Sequence, residues 1–164
     1  MSNTKTQLAK QYQKKTDKQH ILDAPDTYIG SVEEDSVVNW CLKNTEAGQK
    51  FQHAEYKWIS GLYKLFDEGI VNARDHFVRI GQKIASGEEA MPVTKIEVTI
   101  DKETGVISIL NDGNGIDVEK HPEHNLWIPE MIFGHLRTST NYDKTQKKIV
   151  GGKNGFGFKL VLIY

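Results

Sequence analysis

A chain of 164 residues with 38% hydrophobic and 26% charged side chains has the size and composition of one globular domain. A net charge of −1 excludes the strongly basic balance of a dedicated nucleic-acid-binding domain, and the single Cys41 excludes an internal disulfide and any multi-cysteine zinc site. No apolar run reaches the ~20 residues of a bilayer span, and the polar, lysine-rich start is no secretion signal, so the expected setting is intracellular and reducing.

In chain order, Ser2 to His20 carries Lys5, Lys10, Lys14, Lys15 and Lys18 against Asp17, the composition of an extended, solvated arm. Ile21 to Ile29 is a short apolar segment broken by Pro25. Val37 to Leu42 and Tyr56 to Ile59 read as two strands joined by a polar loop, Lys43 to His53. The clearest element is a helix from about Gly61 to Ile80. Leu62, Leu65, Phe66, Gly69, Ile70, Ala73, Phe77 and Ile80 recur at three- and four-residue steps as one apolar stripe. Glu68, Asn72, Asp75 and Arg79 form a second, polar stripe at its edge. Such a stripe either lines a pocket or is ordinary helix amphipathicity.

Lys95 to Ile100 alternates as a strand, Asp101 to Gly105 turns, and Val106 to Leu110 returns. The hairpin runs into the turn-rich Asn111-Asp112-Gly113-Asn114-Gly115-Ile116. Trp127 to Leu136 reads as helical, with Pro129 in its first turn. Thr138 to Lys148 is polar, and Phe156 to Ile163 suits a helix. Between them, Gly151 to Lys159 holds four glycines and two lysines in nine residues. Backbone N–H groups there can converge on an anion, with a helix N-terminus adding to the same field; the same composition also describes a plain turn.

Three separated pieces carry chemistry when combined. Glu68 and Asn72 stand one helical turn apart, so a carboxylate that can deprotonate a water lies beside an amide oxygen that can ligate Mg²⁺. Asp112, at a glycine turn after a strand, can accept from the exocyclic amine of adenine. The glycine loop supplies N–H groups to phosphates, and Lys153 or Lys159 supplies charge.

The order of these pieces resembles the Bergerat-type ATPases, which include gyrases, heat-shock chaperones, histidine kinases and MutL-type repair proteins. More closely, the chain resembles the N-terminal ATPase region of eukaryotic-type DNA topoisomerase II. The matching segments are Tyr12 to Thr16, Pro25-Asp26-Thr27-Tyr28-Ile29-Gly30-Ser31, Gly61-Leu62-Tyr63-Lys64-Leu65-Phe66-Asp67-Glu68 and Ile128-Pro129-Glu130-Met131-Ile132-Phe133-Gly134-His135-Leu136. The resemblance runs from about Tyr12 to Ile163 and disfavours a chaperone or kinase built on the same pocket.

The resemblance implies an α+β fold, a two-layer sandwich of a mixed sheet covered by helices on one face and cut short. It divides the chain into a strap, residues 1–20, and a partial ATPase domain, residues 21–164. Glu68 then matches the general base and Asn72 the Mg²⁺ ligand, with Asp75 beside them. Asp112 matches the adenine-reading carboxylate, with Gly115 and Ile116 as pocket wall. Thr138, Ser139, Thr140 and Asn141 match a run that touches ribose and phosphates. Lys153, Asn154, Gly155, Phe156, Gly157 and Lys159 match a phosphate lid, and Tyr12 a strap that crosses to a partner subunit.

His76 replaces a usual second asparagine and is expected to donate to a phosphate or ribose oxygen; Asp117 replaces a usual proline, and Arg74 a usual small residue. The implied cofactors are ATP and Mg²⁺. The implied partners are a second copy of the chain and, in the full enzyme, double-stranded DNA. The implied location is the nucleus for a cellular enzyme, or the host cytoplasm or virion factory for a viral one. The transducer domain with its phosphate-reaching lysine is missing from the 164 residues. A nucleotide-binding or dimerising module without turnover is therefore the alternative.

Overall fold

The computed structural model describes residues 2–138 and 156–164. They divide into two compact units, Met1–Gly61 with Ile163–Tyr164, and Leu62–Leu162.

The first unit begins with helix α1, Ser2–Gln11, where composition alone predicts an extended arm. Helix α2, Asp17–Asp23, starts at a capping box: Gln19 N–H donates to Thr16 Oγ1 at 3.2 Å, and Thr16 N–H donates to Gln19 Oε1 at 3.0 Å. Two of the orphan donors of a helix start are thereby satisfied. The short α3, Pro25–Tyr28, has its proline in the first turn, where a missing N–H costs nothing. Ile21 and Ile29 are the buried side chains here, and the Tyr164 hydroxyl donates to the Ile21 carbonyl.

Strands β1, Asp35–Thr45, and β2, Gly48–Trp58, form an antiparallel hairpin in register from Asp35↔Trp58 to Thr45↔Gly48. The expected polar loop from Lys43 to His53 is therefore mostly strand, with only Glu46 and Ala47 left between the two. Polar residues that face solvent on both sides leave no alternation to read.

Helix α4, Ser60–Ala85, opens at the end of the first unit and supplies the backbone of the second. It buries Gly69, Ala73, Asp75 and Ile80, whereas Leu62 and Phe77, assigned to the apolar stripe, are exposed. Strands β3, Ile96–Asp101, and β4, Val106–Asn111, make a second antiparallel hairpin, Ile96↔Asn111 to Asp101↔Val106. Asp101 Oδ1 closes the turn by accepting from Glu103 N–H at 2.9 Å. A Cβ on Gly69 would stand 2.7 Å from Ile109 Cδ1 and 3.5 Å from the Phe158 ring, so α4 passes close to both side chains at this glycine. Helices α5, Ile128–Gly134, and α6, Gly157–Ile163, complete the unit; Phe133 and Phe158 meet edge to face with centroids 5.9 Å apart. The class is α+β as expected, with its described strands all antiparallel in two separate hairpins.

Candidate nucleotide site

Along α4 the polar stripe is real but unequal. Glu68, 20% exposed, has its Oε1 2.8 Å from Lys64 Nζ one turn earlier, and Asp67 lies 3.2 Å from the same ammonium. The hydrogen bond to Glu68 is the largest cause holding the Lys64 ammonium above its ordinary pKa, with burial working against it. A Cβ on Gly157 would lie 3.2 Å from Glu68 Oε2, so the first residue of α6 sits against the carboxylate. The expected base and the end of the glycine loop therefore meet. Asn72 lies one turn further on and is exposed, its amide free of burial. Asp75, one turn beyond Asn72, is buried: its side chain is only 4% exposed and pairs with Arg74 Nη1 at 3.3 Å. Arg74, for which the sequence offered no role, thus helps neutralise a buried carboxylate.

Asp112 is held more tightly than its sequence context indicates. Oδ1 accepts from Thr94 N–H at 2.7 Å and Lys95 N–H at 2.8 Å, and Oδ2 accepts from Thr94 Oγ1 at 2.6 Å. The Thr94 hydroxyl and then the Lys95 N–H hold the carboxyl below its ordinary value of 3.8. An ionised carboxylate offers about four lone-pair directions, so three internal donors leave room for one more, such as a ring amine. Gly113 has φ +91°, and a Cβ there would stand 2.8 Å from Val93 Cγ2; the loop backbone lies directly on the segment before β3. His76 Nε2 lies 2.5 Å from the Asn114 carbonyl oxygen. A carbonyl only accepts, so Nε2 carries the proton. Gly115 and Ile116 follow in exposed positions.

After α5, the Thr138 hydroxyl lies 2.8 Å from both the Met131 and the His135 carbonyl oxygens, which share its single proton. The Thr138 carbonyl accepts from Lys159 Nζ at 2.8 Å. Lys159 is buried, and burial lowers its pKa from the ordinary value. This lysine ties α6 to the segment after α5. Phe156 and Gly157 stand at the start of α6, whereas Ser139, Thr140, Asn141, Lys153, Asn154 and Gly155 lie outside the described residues. Tyr12 belongs to the first unit, where it is 72% exposed and lines an open groove of about 510 Å³ with Gln13, Lys14, Gln19 and Asp23.

One unit thus assembles Glu68, Asn72, His76, Asp112 and Gly157 from elements far apart in sequence. Thr94 and Lys95 are the partners that sequence reasoning missed. Among the described residues no group of three or more His, Cys, Asp or Glu side chains forms a metal cage. One exposed amide oxygen beside a carboxylate instead fits Mg²⁺, which keeps several waters and is shared with phosphates. No helix of the described residues is long and apolar enough to cross a membrane.

Comparison with known proteins places the fold in a family. DNA topoisomerase 2 of Acanthamoeba polyphaga mimivirus is 49% identical over 160 residues, covering 96% of this chain and 12% of that protein. The crystal structure of the ATPase region of Saccharomyces cerevisiae topoisomerase II superposes with a TM-score of 0.80 at 43% identity, over 93% of this chain and 37% of that one. The ATPase and transducer domains of DNA topoisomerase II from Balamuthia mandrillaris give a TM-score of 0.80 at 40% identity, over 92% and 35%. The chain therefore spans about an eighth of the viral relative's length. Residues 59–163 match the histidine kinase-, DNA gyrase B- and HSP90-like ATPases, and the chain belongs to that family.

Proposed function

We propose that the chain is the ATP-binding and hydrolysing part of a type IIA DNA topoisomerase, in which nucleotide-driven pairing of two copies closes a gate on double-stranded DNA. The observation that carries this reading is the juxtaposition of Glu68 with Gly157, in the unit where Asp112 is braced with one acceptor position to spare. Asp112 would accept from the exocyclic amine of adenine, with Gly115 and Ile116 beside the ring. Glycine-loop N–H groups, with Lys153 and Asn154, would face the phosphates, and the run from Thr138 to Asn141 the ribose and phosphates. Asn72 would hold Mg²⁺, which neutralises phosphate charge. Glu68 would orient a water and take its proton as the water attacks the γ-phosphorus, the bond to the β–γ bridging oxygen breaks and ADP leaves; the rest of catalysis is positioning. Tyr12 and the strap, residues 1–20, would reach a second copy. The location follows the source: nucleus for a cellular enzyme, host cytoplasm for a viral one.

Glu68→Ala tests the assignment. Phosphate release should fall about 100-fold or more while ATP binding stays close to wild type. Persistent turnover would remove Glu68 as the base. A second reading, nucleotide binding without turnover by this chain, is favoured by one observation: Lys64 and Lys159 are both bonded internally, at Glu68 and at Thr138. Heat of ATP·Mg²⁺ binding by the wild-type chain with no phosphate released would support that reading instead.

A further inference from the structure

The loop from Asp112 to Asn114 is fastened to two places, and the fastening converges on Asn114. Its N–H donates to the Met91 carbonyl at 3.3 Å, its side-chain Oδ1 accepts from the Met91 N–H, and its carbonyl accepts from His76 Nε2 at 2.5 Å. Asp112 is seated on Thr94 and Lys95, and Gly113 packs on Val93, so three successive residues rest on the segment 91–95. The bond from His76 runs the other way, to α4, the helix that carries Glu68 about two turns earlier.

We propose that His76 is a positioning residue: it does not touch the nucleotide, but fixes the Asp112–Asn114 loop against α4 through the Asn114 carbonyl. This rests on the ATP-site reading above and deepens it. A side chain on a rigid helix that bonds a loop backbone sets the spacing between the base and the adenine-reading carboxylate. That differs from donation to a phosphate or ribose oxygen, because the Nε2–H is already committed to a carbonyl inside the protein. The requirement is a donor at the reach of Nε2. A glutamine amide meets it, whereas asparagine is one methylene shorter.

The test compares His76→Ala, His76→Gln and His76→Asn in the full 164-residue chain, by ATP affinity and by hydrogen exchange of the Met91 and Asn114 amides. His76→Ala should weaken ATP binding about five- to tenfold, the worth of one hydrogen bond, and speed exchange at both amides. Gln should restore both readouts and Asn neither. An Asn variant that matches wild type while Gln does not would overturn the proposal, as would weaker ATP binding with unchanged exchange, since His76 would then act on the nucleotide directly. If wild-type protein bound no ATP, the function proposed above would fall. The exchange arm would then decide the clasp alone: faster exchange in His76→Ala supports it, and unchanged exchange overturns it.

Discussion

The two antiparallel hairpins among the described residues differ in what holds them. The β1–β2 hairpin is the longer, with eleven residues in each strand, yet one of its faces presents Val38, Trp40, Leu42 and Phe51 to solvent. Trp40 is 63% exposed and Phe51 72%. The β3–β4 hairpin has six residues in each strand and likewise exposes Ile100, Val106 and Leu110, but Ile109 packs on Gly69 of α4, and the residues after β4 are bonded to residues 91–95 and to His76. Strand length is therefore a poor guide to which hairpin builds the site. Side-chain bonds to backbone groups, which fix where a loop lies, are the better guide, because each buried or braced polar group narrows the loop to one position.

The contrast can be broken by substitution. Gly69→Val should destabilise the second unit by about 1–3 kcal/mol, since a branched side chain there must displace Ile109 Cδ1 and crowd the Phe158 ring. Denaturant unfolding followed by tryptophan fluorescence reads this directly, and an unchanged midpoint would mean that the space beside Gly69 is not filled by Ile109 and Phe158. Thr94→Val should have a smaller effect. By removing the hydroxyl that donates to Asp112 Oδ2, it should raise that carboxyl toward 3.8 in a carbon-detected titration. The sign follows from the depressed value: the carboxylate's contribution is complete above the ordinary value and is lost as pH falls through the lower folded one. Wild-type protein should therefore keep the loop ordered to lower pH than Thr94→Val. The smallest effect belongs to the other hairpin, where Phe51→Ser should shift stability by no more than about 0.5 kcal/mol, because the ring is already in water.

What the sequence reveals follows the same division. The α4 helix, the β3–β4 hairpin and both short C-terminal helices are legible because apolar residue types recur there with a helical or strand period, even though β3 and most of β4 are exposed. The β1–β2 extension is not, since its residues from Lys43 to His53 show solvent on both faces. Nor is the helix Ser2–Gln11, whose polar run carries no apolar stripe. Leu62 and Phe77 fit the apolar period and are nonetheless exposed, because period alone does not tell which part of a stripe a neighbour covers. Within the candidate site, residue type and spacing single out Glu68, Asn72 and Asp112 as the proposed chemical groups. The bonds from Asp112 to Thr94 and from His76 to Asn114 join residues 18 and 38 positions apart, and no local pattern marks them.

The account's central claim is that the braced Asp112 loop in the second unit reads adenine. Calorimetric titration of the wild-type chain with ATP·Mg²⁺ and with GTP·Mg²⁺ tests it most directly. The carboxylate accepts from an exocyclic amine, and guanine presents a carbonyl oxygen at that ring position. ATP should therefore bind saturably at one site per chain, with GTP weaker by about tenfold or more, the cost of an unmatched buried polar pair. Equal affinity for the two nucleotides, or no binding of ATP, would contradict it.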